Sequence, residues 1–280
     1  MTISFVRTGG GTLAVEIEGD GPLVICSPGL GDTRDAFFPL ATNLVAEGYR
    51  VVRADLRGHG ASSVDFAHYG DEATADDLLS LIDALGGGPA ILTGASLSSA
   101  AAVIAAGRRP DSVAGLILLG PFLRNGVGEM KRWILQQVFA RPWGPHIWRA
   151  YATKLWPGLG DRARDRARSL TDLLTRPGRW QAFQATLAGA DHRVVEPWIR
   201  LVRAPVLVVM GDADPDWKNP IAEADWAASN FTDSKVIIVP GVGHAPMLER
   251  PDIVFTSVSK FLRQVLESSA PAPTDKWSPT

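Results

Sequence analysis

Short apolar runs alternate with helix-patterned segments along most of this chain. Residues 23–26, 51–54, 90–93, 113–119, 206–210 and 236–239 are almost wholly small or apolar. A strand with one wet face alternates apolar and polar residues, whereas a strand covered on both faces need not. Between these runs, Phe37, Leu40, Ala41 and Leu44 have helical spacing, as do Leu78, Leu81, Ile82 and Leu85. Gly48 stops the first of these helices, and Gly86-Gly87-Gly88-Pro89 stops the second. The alternation predicts a sheet sheathed by helices in an α/β fold. Residues 13–17 add a strand at the start, set off by the turn Glu18-Gly19-Asp20-Gly21-Pro22. Val254, Val258, Phe261, Leu262 and Val265 mark a closing amphipathic helix.

One interval breaks the rhythm. Residues 122–199 hold six of the nine tryptophans, namely Trp133, Trp143, Trp148, Trp156, Trp180 and Trp198. Pro142, Pro157 and Pro177 divide the interval into short helices. It is too long for a crossover. An insertion after the run 113–119 emerges at the carboxyl ends of the strands, where it is expected to roof a pocket. The expected division is a core of 1–121 and 200–267, a helical cap of 122–199, and a flexible tail of 268–280 carrying Pro271, Pro273 and Pro279. The stretch 124–200 contains fourteen Lys/Arg against six Asp/Glu, while the whole chain has a formal charge of -2. The cap is therefore expected to be positive, either as ordinary surface pairing or to attract an anion.

The residues that bear chemistry fall at strand ends. Gly94-Ala95-Ser96-Leu97-Ser98 joins an apolar run to a helical pattern, so Ser96 is expected on a tight strand-to-helix turn as a nucleophile. A serine needs a base. His244 lies in Pro240-Gly241-Val242-Gly243-His244-Ala245-Pro246, after an apolar run and before the last helix, and is the candidate. His59, in Asp55-Leu56-Arg57-Gly58-His59-Gly60, reads as part of a structural turn tied by Asp55. His68 and His146 have no comparable context. The orienting acid is expected in Gly211-Asp212-Ala213-Asp214-Pro215-Asp216. Asp214 has the loop length to turn back towards His244, with Asp212 and Asp216 as competitors. Developing negative charge needs donors. The Leu97 N–H follows the nucleophile, and the Leu30 N–H is expected from Ser27-Pro28-Gly29-Leu30-Gly31, because Pro28 has none. Phe122, Trp148, Phe183 and His192 are candidates for substrate contact in an apolar pocket that takes medium or bulky acyl groups.

These segments resemble the α/β-hydrolase family over nearly all of residues 10–267. Gly94-Ala95-Ser96-Leu97-Ser98 resembles its nucleophile elbow, with Ser98 where a glycine is usual. Pro28-Gly29-Leu30 resembles its oxyanion loop, with Pro28 where histidine is frequent. Asp55 to Gly60 resembles a common turn, and the order Ser96, Asp214, His244 agrees. The resemblance implies a mostly parallel eight-stranded sheet with a helical cap inserted after strand six. It implies hydrolysis of a small hydrophobic carboxylic ester or lactone through an acyl-enzyme. A carbon–carbon bond hydrolase, a cofactor-free haloperoxidase-like enzyme and a small-molecule sensor are the alternatives.

No cofactor is expected, and no His/Cys/Asp/Glu cluster calls for a metal. A small hydrophobic acyl substrate is the expected partner, with no nucleic acid, in a monomer or homodimer. No apolar run approaches eighteen residues, so no stable membrane insertion is expected and the setting is read as cytoplasmic. The single cysteine, Cys26, sits in an apolar run and is expected to be buried and inert.

Overall fold

The computed structural model describes residues 2–86 and 88–269. The chain begins with β1 (Ser4–Thr8), β2 (Gly11–Glu18), β3 (Leu23–Ser27), α1 (Phe38–Ala46) and β4 (Arg50–Ala54). It continues through α2 (Asp71–Ala84), β5 (Ala90–Ala95), α3 (Leu97–Arg108) and β6 (Val113–Leu119). Five helices follow before the next strand: α4 (Glu129–Phe139), α5 (Gly144–Leu155), α6 (Arg162–Leu174), α7 (Arg179–Gly189) and α8 (Glu196–Ile199). The chain then closes with β7 (Val206–Gly211), α9 (Pro220–Ser229), β8 (Ser234–Val239), α10 (Pro246–Glu249) and α11 (Pro251–Ser269).

The eight strands form one sheet in the order β1-β2-β4-β3-β5-β6-β7-β8. β2 pairs antiparallel with β1 and β4, and every other neighbour is parallel. The helical insertion between β6 and β7 is where the sequence places it. β1 carries no apolar run, and the sequence pattern misses it. Its residues alternate, and Phe5 is 60% exposed, as suits an antiparallel edge strand with one wet face. The closing helix reaches Ser269, past the expected start of the tail; the rest of that tail lies outside the described residues.

Central strands β3, β5 and β7 are buried along their whole length. One apolar layer joins α2, α3 and α9 to the sheet. Helix α3 supplies Ala100, Ala101, Ala102, Ala105 and Ala106, all buried, and small side chains let it lie close to its neighbours. The second layer joins α1 and α11 to the other face and runs on into the insertion through Trp148, Leu155, Trp156 and Phe183. Val195 and Ile199, near the end of the insertion, belong to the first layer instead. The chain therefore packs back onto α3 before it enters β7.

Cys26 is fully buried, and burial pushes its thiol up to about 12, so it stays neutral. The Asp55–Gly60 turn is a structural knot. Asp55 accepts the Arg34 N–H at 2.8 Å and the Ala61 N–H at 2.8 Å, and pairs with the Arg34 guanidinium at 2.5 Å. Burial pushes His59 down to about 4, so it stays neutral within this knot.

Candidate active site

β5 ends at Ala95 and α3 starts at Leu97, so Ser96 alone makes the turn between them. Its φ of 55° makes it the one non-glycine residue with positive φ among the described residues. Such a backbone costs about 1–3 kcal/mol and persists only where its surroundings over-determine it. Here the Ser96 N–H donates to the Leu119 carbonyl at 2.9 Å, and the Ser99 N–H donates to the Ser96 carbonyl at 2.9 Å. The β3 loop closes on the same residue. A Cβ on Gly29 would stand 2.7 Å from the Ser96 Cβ, so only glycine permits the approach.

Ser98, the departure from the usual glycine, has a task of its own. Its hydroxyl donates to the Pro28 carbonyl at 2.5 Å. With its one proton spent, it accepts from the Ser27 hydroxyl at 2.9 Å. The helix after the nucleophile is thereby tied to the loop that carries Leu30. Leu30 and Ser96 line one narrow cavity. Leu97 is the first residue of α3, so its N–H has no intrahelical acceptor.

The other wall of that cavity includes His244. Its Nδ1 lies 2.8 Å from Asp214 Oδ2, and Asp214 is 2% exposed. In the neutral ring this hydrogen bond places the proton on Nδ1 and the lone pair on Nε2. Asp212 turns away and accepts the Gly241 N–H at 2.7 Å, which holds the two loops together. Asp216 is a second carboxylate, with Oδ2 3.3 Å from His244 Nδ1. Ligand atoms of Asp214, Asp216 and His244 lie within 4.8 Å of one another, a spacing these contacts already account for. Gly120, at the end of β6, leaves room for the pair. A Cβ there would stand 2.8 Å from the His244 carbonyl and 3.3 Å from Nδ1.

Burial opposes charge on His244, yet Asp214, Asp216 and Glu249 together outweigh it and raise the imidazole to about 9. Burial also pushes the Asp216 carboxyl up, against the pull of His244.

The cap holds the histidine loop directly. The His244 N–H donates to the Leu155 carbonyl at 2.7 Å. Glu249 accepts the N–H of Gly243 at 3.0 Å and of Ala245 at 3.1 Å, on either side of His244. The same carboxylate accepts the Gly158 N–H of the cap at 2.7 Å. Tyr151 on α5 donates to Asp216, and Arg166 on α6 pairs with Asp32 of the β3 loop. Sequence reasoning misses Glu249 and Tyr151, because nothing in their local pattern separates them from surface residues, and it notes Ser98 only as a departure from the usual glycine.

The four candidates for substrate contact are placed differently. Trp148 lines the cavity. Phe183 is fully buried behind it, with ring centroids 4.9 Å apart, and stacks on Trp180 at 4.7 Å. Phe122 sets its ring edge-on to His244 at 5.7 Å and also meets His192 at 5.4 Å. His192 does not line the cavity. Its Nδ1 lies 3.1 Å from buried Asp71, and its N–H donates to Asn125 at 3.1 Å. The cavity beside Ser96 is about 30 Å³, space for one or two waters and less than the expected pocket for medium or bulky acyl groups needs. The cap aromatics pack on one another rather than around an opening.

Residues 23–256 match the model of the Alpha/beta hydrolase family. The chain belongs to that family. Over 264 residues this hydrolase is 30% identical to 2-(acetamidomethylene)succinate hydrolase of Mesorhizobium japonicum, spanning 90% of this chain and 91% of the relative. It is 28% identical to a strigolactone esterase of Arabidopsis thaliana over 91% of this chain and 96% of that one. Among solved structures, a thermophilic esterase from Thermogutta terrifontis superposes with a TM-score of 0.81 at 26% identity, covering 95% of this chain and 99% of that one.

Proposed function

We propose that this hydrolase cleaves small carboxylic esters or lactones through an acyl-enzyme on Ser96. The observation that carries the reading is the strained turn at Ser96 facing the same narrow cavity as a histidine already bonded to a buried aspartate. The hydrolases and esterases it resembles support the reaction class. His244 Nε2 takes the Ser96 proton as the hydroxyl attacks the carbonyl carbon. Asp214 stabilises the imidazolium that forms. The Leu30 and Leu97 N–H groups receive the oxyanion. His244 then protonates the leaving alcohol. A water deprotonated by His244 releases the acid and restores Ser96.

The cavity sets the acyl size. Walled by Trp148, Trp156 and Leu155, it favours acetyl and propionyl groups over the medium or bulky chains that the aromatic content alone suggests. The test is a series of p-nitrophenyl esters on wild type and Ser96→Ala, with fluorophosphonate labelling. Ser96→Ala is expected to lose turnover by ~10³ or more and to lose the label with its circular dichroism unchanged. Wild-type kcat/KM falls as the acyl chain grows. Retained turnover in Ser96→Ala overturns the mechanism; activity rising steadily to long chains overturns the size assignment.

A further inference from the structure

The first turns of helix α4 present apolar side chains outward, while Phe139 at its end is buried. Its Arg132 and Gln136 are half-buried against the body, where Arg132 pairs with Asp191 at 3.2 Å and donates to the Ala188 carbonyl at 2.9 Å. Its Met130, Trp133 and Ile134 face solvent, 71%, 57% and 47% exposed. Positions i, i+3 and i+4 form one face, and a helix on a globular body normally buries its apolar face. Trp143, just before α5, and Ile147 on it are exposed as well, again one helical turn apart. Single exposed apolar residues are ordinary; a cluster on two successive cap helices marks a contact surface.

A second feature adjoins it. Between α5 and α6 lies an open depression of about 260 Å³ whose wall includes His146, Arg149, Thr153, Arg164 and Arg168. No carboxylate lines it. Asp161 and Asp165 are exposed on α6 but stand outside its wall. Like charges so close repel one another, and an anion between them removes the repulsion. The surrounding stretch 124–200 carries fourteen Lys/Arg against six Asp/Glu, so the wider field has the same sign.

We infer that this face of the cap docks reversibly on an anionic membrane surface. Met130, Trp133, Ile134, Trp143 and Ile147 enter the headgroup layer. Arg149, Arg164 and Arg168 hold lipid phosphates or carboxylates. A small soluble anion uses the basic depression but leaves the apolar face idle. A neutral apolar partner uses the face but gains nothing from the arginines. A lipid surface satisfies both, because apolar side chains and interfacial cations add in binding to it. Among the described residues no helix is long and apolar enough to cross a membrane, so the contact is peripheral. The inference is independent of the reaction at Ser96.

The experiment is vesicle co-sedimentation of the full chain. One set of vesicles is pure phosphatidylcholine, and the other contains about a third phosphatidylglycerol. Binding is expected to the anionic set alone and to weaken with salt. Arg164→Gln with Arg168→Gln is expected to weaken it on the order of tenfold or more. Trp133→Ser with Trp143→Ser is expected to weaken it similarly and to abolish a vesicle-induced blue shift of tryptophan fluorescence. Both double variants should keep wild-type turnover of a water-soluble ester, which shows that they fold. Absence of binding to anionic vesicles overturns the inference, as does binding that neither double variant changes. Inorganic phosphate raising Tm through Arg164 and Arg168 without vesicle binding assigns the depression to a soluble anion and also overturns it. A dimer broken by Trp133→Ser, again without vesicle binding, gives the face to a second copy and does the same.

Discussion

The loop that carries Ser96 and the loop that carries His244 are built by opposite means. Ser96 is held from within the core. The sheet edge, the Leu119 carbonyl and the first turn of α3 leave it one backbone conformation, a strained one. His244 is held from outside its own segment. Its N–H reaches the cap at Leu155, and its neighbours are pinned by Glu249, which also grips Gly158 of the cap. Ser96, the proposed nucleophile, is thus placed by the strand-to-helix turn, and His244, the proposed base, by a junction between core and cap. Disturbing the cap should move the base and leave the nucleophile where it is.

Among variants outside Ser96, Asp214 and His244, the largest effect is expected from Glu249→Ala. It leaves the N–H groups of exposed Gly158 and of buried Gly243 and Ala245 without their acceptor, and the two buried groups left unpaired cost about 1–3 kcal/mol each before relaxation. Net destabilisation of about 3 kcal/mol and a fall of ten- to a hundredfold in kcat are expected, measured by denaturant melts and ester assay. Slow fluorophosphonate labelling of Ser96 should persist. A variant with wild-type kcat would show that the core alone positions His244.

Asp216→Asn sharpens the contrast through pH. Tyr151 ties Asp216 to the cap, and Asp216, Asp214 and Glu249 are the carboxylates that hold His244 at about 9. The base must be neutral to act, so wild-type kcat/KM should rise with pH through that region. Removing one carboxylate lowers the His244 pKa and moves the acid limb to lower pH. At pH 7 the variant should therefore be faster, by roughly 2–10-fold. Linkage gives a second readout. A raised histidine pKa contributes stability that is complete below its unfolded value near 6.5 and lost as pH rises through about 9. That loss should shrink in Asp216→Asn. An unchanged pH profile would mean that Asp216 serves only to anchor Tyr151.

The smallest effect belongs to the nucleophile side. Ser98→Gly restores the more usual motif residue but removes the bonds to Pro28 and Ser27. A loss of about 1 kcal/mol in stability and a fall of only a few-fold in kcat are expected. A larger loss of activity than Glu249→Ala would reverse the order and place the weak joint of the site at the β3 loop.

The sheet was legible in the sequence because its central strands are buried on both faces and advertise themselves as apolar runs. Only β1 escaped, since an edge strand with one wet face has no such run. Ser96, His244 and the acidic loop were legible because each follows an apolar run at a strand end, where side chains converge in this kind of fold. The choice of Asp214 over Asp212 was an expectation from loop length. In the structure Asp214 reaches His244, while Asp212 is spent on Gly241.

Cap composition was visible, but its use was not. The cap's aromatic residues suggested an apolar pocket for medium or bulky acyl groups, whereas Trp148, Trp180 and Phe183 pack on one another and the cavity beside Ser96 is about 30 Å³. An apolar count fixes how much surface seeks burial, not which surfaces meet. The same holds for Glu249 and Tyr151, whose partners lie 91 and 65 residues away. By itself the sequence determined the alternation of strands and helices, the tight turn at Ser96 and the candidates for nucleophile and base, because these depend on short-range pattern and backbone sterics. Only the tertiary structure decided the size of the cavity, the charge on His244 and the outward apolar face of α4, because each depends on distant side chains brought together by packing.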